Sequence, residues 1–147
     1  MNLRAGLKRA WLIIAASLLC APALGYLYFM SFMPTLCWPF QQAIHPLFPI
    51  SVAGLFGLFL GILTDGLEDA IYATFLSVVM GTAFALLIAI SPIASPYLSD
   101  AIPGEIIGEA LKAMVPLILA SLLSLFIAAF LGNLAQEKYF SDEQGGD

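Results

Sequence analysis

Charge is what this chain has least of. Its 147 residues hold five Lys or Arg and ten Asp or Glu, and none of them falls within residues 10–64, 70–99 or 113–136. Soluble domains carry about 25% charged residues. Here the fraction is 10%, with 61% apolar residues and a mean hydropathy of +0.98. Each uncharged interval is long enough to cross a hydrocarbon core of about 30 Å as helix, and the first is long enough to cross twice. These gaps exclude a water-soluble fold and predict an all-α integral membrane protein. The net charge of −5 and the lack of a basic patch exclude nucleic acid as a partner, since phosphate binding needs clustered Lys and Arg.

Material for catalysis is equally scarce. His45 is the sole histidine, and beside Pro46 it fits an interfacial polar contact better than a general base or a metal ligand. Cys20 lies near mid-depth of the first span and Cys37 beyond its end, too far apart along a straight helix for a disulfide. No His, Cys and carboxylate spacing matches a zinc or haem site. The sequence assigns no catalytic residue, metal or cofactor.

Prolines divide the first uncharged interval. Pro34, Pro39, Pro46 and Pro49 make 34–49 a poor continuous helix, so four spans are expected at about 10–33, 47–64, 70–90 and 113–134, in one membrane domain. The second is the shortest, and a re-entrant course is its alternative. Residues 91–112 form the outer loop, with a helix opening at Pro103 that is either interfacial, Pro116 marking its bend into the fourth span, or continuous with that span. Arg4, Lys8 and Arg9 before the first span and Lys138 after the last place both termini in the cytoplasm, with Lys112 as the dissenter. Trp11, Tyr72 and Tyr139 fall near the inner interface; Tyr28, Trp38 and Tyr97 fall near the outer one. The basic start and the apolar run to Ala21-Pro22-Ala23 also fit a secretory signal, but apolar sequence continues through Leu24–Phe32 and favours an uncleaved span.

Small residues recur at helical spacing within the spans. The second contains Gly54, Gly57 and Gly61. The third contains Ala73, Ser77, Gly81, Ala85 and Ala89, and the fourth Ala120, Ser124, Ala128 and Gly132. Residues four apart share a helix face, and removing bulk there lets another backbone approach. Tight helix packing is the leading reading, and a lining for a pore, lipid or cofactor is the other.

Two acidic groups stand at the boundaries. Asp65, Glu68 and Asp69 predict a capping box at the start of the third span, with Asp65 as N-cap and Glu68 three residues on. The competing reading is a cation vestibule facing a second one at Glu105 and Glu109. No ionisable side chain occupies the midplane to connect them. Function is therefore expected to be that of an accessory or scaffolding subunit, packed with membrane lipids and with copies of itself or other integral membrane subunits. A small oligomeric ion or solute transporter or channel is the alternative, and a membrane enzyme the third. The expected location is the cell membrane or another energy-transducing membrane.

Overall fold

A computed structural model describes residues 3–32, 45, 47–64, 66–91 and 103–140, without the side chains of 3–6, 31–32, 103, 105–106 and 139–140. The described residues form four helices: α1 (Leu3–Phe32), α2 (Leu47–Leu63), α3 (Leu67–Ala89) and α4 (Pro103–Phe140). Three contain apolar stretches long enough to cross a membrane: Leu7–Met30, Leu67–Ala89 and Ile107–Lys138. The chain is an all-α, multi-pass membrane bundle. At 17 residues, α2 rises about 25 Å, less than a core of about 30 Å.

Helix α4 continues through Pro116, so residues 103–112 are its first turns rather than a separate interfacial helix. Pro116 removes the bond to the carbonyl four residues back, that of Lys112. This carbonyl lies beside the exposed Lys112–Glu109 ion pair (2.7 Å), at a polar level where water can replace the lost donor. Helix α1 likewise continues through Pro22, whose ring is on the exposed side while Ala21 is fully buried.

The helices pair in an interleaved order. The closest partners are α1 with α3 and α2 with α4, whereas α2 and α3 touch little although only residues 64–66 separate them. Both close pairs run parallel, because their contacts advance together along the two chains. In the first pair Arg9 meets Asp69, Ser17 meets Ala73, and Leu24 and Gly25 meet Gly81. In the second, Ile50 meets Ser124, Gly57 meets Leu125 and Gly61 meets Ala129. Helix α4 also packs on α3 and joins the two pairs. Leu24, Tyr28, Leu60, Met114 and Leu125 are fully buried among them.

Glycine makes both seams possible. A Cβ on Gly25 would lie 2.7 Å from the Gly81 carbonyl oxygen and from the Phe84 Cβ. On Gly57 and Gly61 it would strike the backbone carbonyls of Leu125 and Ala129. Those atoms belong to helical backbone and cannot rotate away as a long side chain would. Lipid tails are as apolar as leucine, so such backbone contact supplies the dispersion energy that hydrophobic exclusion supplies in water.

Outward-facing Leu19, Leu55, Phe75, Leu87, Leu119 and Leu123 leave a broad apolar exterior. Gly61→Ala should lower stability in mild detergent by about 2 kcal/mol or more, following the cost of overpacking against atoms that cannot yield. Gly108 has open space around its Cβ position. Its replacement by Ala should therefore leave stability unchanged or raise it by about 0.5–1 kcal/mol. Thermal unfolding followed by circular dichroism measures both; equal effects would contradict the seam geometry.

Candidate functional site

An interhelix ion pair stands at one end of the bundle, and hydroxyl groups are spread along its height. At the Arg9 end, the guanidinium of Arg9 on α1 bonds to the Asp69 carboxylate through Nε, and one Nη lies 3.8 Å from Glu68. Exposure separates the two carboxylates. The Asp69 side chain is 4% exposed and that of Glu68 72%, while Arg9 is about half exposed at 53%. A buried carboxylate without a counter-charge costs several kcal/mol, so Arg9 is what makes Asp69 tenable at the α1–α3 contact. Both acids also lie in the first turn of α3, where the helix dipole favours negative charge.

The start of α3 differs from the expected one in its N-cap. The N-cap of α3 is Gly66, in extended conformation and with no side-chain cap bond, and its carbonyl accepts the Ala70 amide at 3.1 Å. Asp65 lies outside the described residues. Glu68 turns toward Arg9, because an ion pair across two helices is available where a local cap would leave that cation with Asp69 alone.

Deeper in the bundle the hydroxyls are mostly satisfied within their own helices. Thr64 donates to Leu60, Ser77 to Ala73, Thr82 to Val78 and Ser121 to Ile118, at 2.8–3.0 Å. Two serines also reach a neighbouring backbone. The Ser17 hydroxyl is 2.7 Å from the Ile13 carbonyl and 3.0 Å from that of Ala73, while Ser124 donates to the Ile50 carbonyl at 3.0 Å. Tyr28 and Ser121 meet at 2.8 Å and link α1 to α4. With the Ser121 proton directed to Ile118, Tyr28 is the donor in that pair. Thr74 Oγ1 is fully buried and has no hydrogen-bond partner among the described residues.

The small-residue stripes lie largely at contacts within the chain. Ala73, Ser77, Gly81, Ala85 and Ala89 are all buried, and Gly81 stacks on Leu24, Ala21 and Gly25 of α1. Gly54, Gly57 and Gly61 face Ser124, Leu125, Ala128 and Ala129, while Gly132 packs on Leu58, Gly61 and Ile62. Ala128 and Gly132 are buried; Ala120 and Ser124 are half-buried beside an open apolar groove of about 450 Å³ between α2 and α4. Leu58, Leu123, Ile127 and Leu131 form the rest of its apolar rim with Ile50.

Glu109 is exposed and paired with Lys112, at the opposite end of the bundle from Arg9, and the side chain of Glu105 is not among those described. Among the described residues, no three His, Cys, Asp or Glu side chains come together as metal ligands. Cys20 is buried and Cys37 is not described. His45 precedes α2, its Nδ1 accepting the Leu47 amide at 3.3 Å and its carbonyl the Phe48 amide at 2.9 Å.

The unforeseen positions were Arg9, Ser17, Tyr28 and the α1 face containing Ala21 and Gly25. A spacing signal existed for part of this: Ser17, Ala21 and Gly25 are four apart, like the stripe on α3. Nothing in the spacing pointed to Tyr28 and Ser121 as partners.

Arg9→Gln and Asp69→Asn should each cost about 1–3 kcal/mol, between the values for exposed pairs and fully buried ones because Arg9 is half exposed. The double variant should recover part of that loss in a double-mutant cycle; strict additivity would show that the pair is uncoupled. Tyr28→Phe should cost about 0.5–1 kcal/mol, the usual size of a polar contact between membrane helices. Thr74→Val should cost nothing or stabilise, since it removes an unpaired hydroxyl at nearly constant volume. Comparison with protein-family models, with curated proteins and with solved structures found no match.

Proposed function

We propose that this protein is an accessory or scaffolding subunit that works by lateral association in the membrane. One observation supports this most directly: both glycine seams are engaged within the chain, while a broad apolar exterior with a groove between α2 and α4 remains exposed among the described residues. The main energetic resource of the fold is helix packing. Among the described residues, Arg9 is tied across helices to Asp69 and Glu68, and Glu109 and Lys112 form an exposed pair. Four crossings with cytoplasmic termini complete the proposal. The parallel course of α2 beside α4 supports the second crossing, and a short α2 is accommodated by local thinning of the bilayer.

The face lined by Leu123 and Ile127 is the surface on which association is expected. Replacing both with Phe preserves solubility in lipid but disturbs a fitted protein contact, so it separates the two environments. Gentle extraction followed by intact mass analysis should show a homo-oligomer or a complex with other membrane subunits, weakened in the Leu123→Phe, Ile127→Phe variant while its thermal midpoint holds. A protein that is monomeric throughout, yet carries ions across reconstituted vesicles, would replace this reading with transport. For the topology, reporters fused to either terminus should both report the cytoplasmic side; a split result would remove one crossing.

A further inference from the structure

We draw no further inference here: the strongest candidate, the open apolar groove between α2 and α4, belongs to the surface already proposed for association, and nothing in the structure shows which molecule covers it.

Discussion

Backbone-to-backbone approach at two glycine seams is the constraint on which the remainder of the bundle rests. In water, exclusion of apolar surface would hold the helices together almost regardless of fine fit. In lipid that force is absent between helices, and close contact has to supply the attraction. Gly25 against Gly81 and Gly61 against Ala129 bring main chains to distances that no larger residue permits. Once the seams are set, the hydroxyl of Ser17 can reach the Ala73 carbonyl and that of Ser124 the Ile50 carbonyl. The polar contacts follow from the approach; they are too weak singly to create it.

The Arg9–Asp69 pair plays a different part. Seam contacts between small residues are repetitive, and a shift of one turn would place one small residue where another had been. A buried carboxylate tolerates only the alignment that brings it to its cation. The charge pair therefore selects the register of α1 on α3, while the seam supplies the larger share of the contact. Tyr28 and Ser121 then connect the first pair to α4 near the other end of the bundle.

Much of this was readable from residue order, and the rest was not for identifiable reasons. Uncharged length exposes the membrane helices, and four-residue spacing exposes the faces of Gly57, Gly61, Gly81 and Gly132. Spacing identifies a face but carries no information on its partner, so the pairing of α1 with α3 was hidden although Ser17, Ala21 and Gly25 repeat the same interval. The N-cap of α3 is Gly66 and not Asp65, and Glu68 and Asp69 lie beside Arg9, a distant cation that only the fold brings within reach. Pro116 does not break α4, since a lost hydrogen bond is cheap where the freed carbonyl can reach water.

Interleaving has a consequence for how the chain is made. Arg9 is separated from Asp69 by 60 residues, so the first helix reaches the bilayer well before its partner exists. At ~5–20 residues per second that interval lasts roughly 3–12 s. Throughout it, α1 and then α2 are hairpin neighbours with little to hold them to one another, each presenting an unfilled glycine face. Assembly of this bundle is thus a late event in synthesis, in which the second hairpin closes both seams of the first.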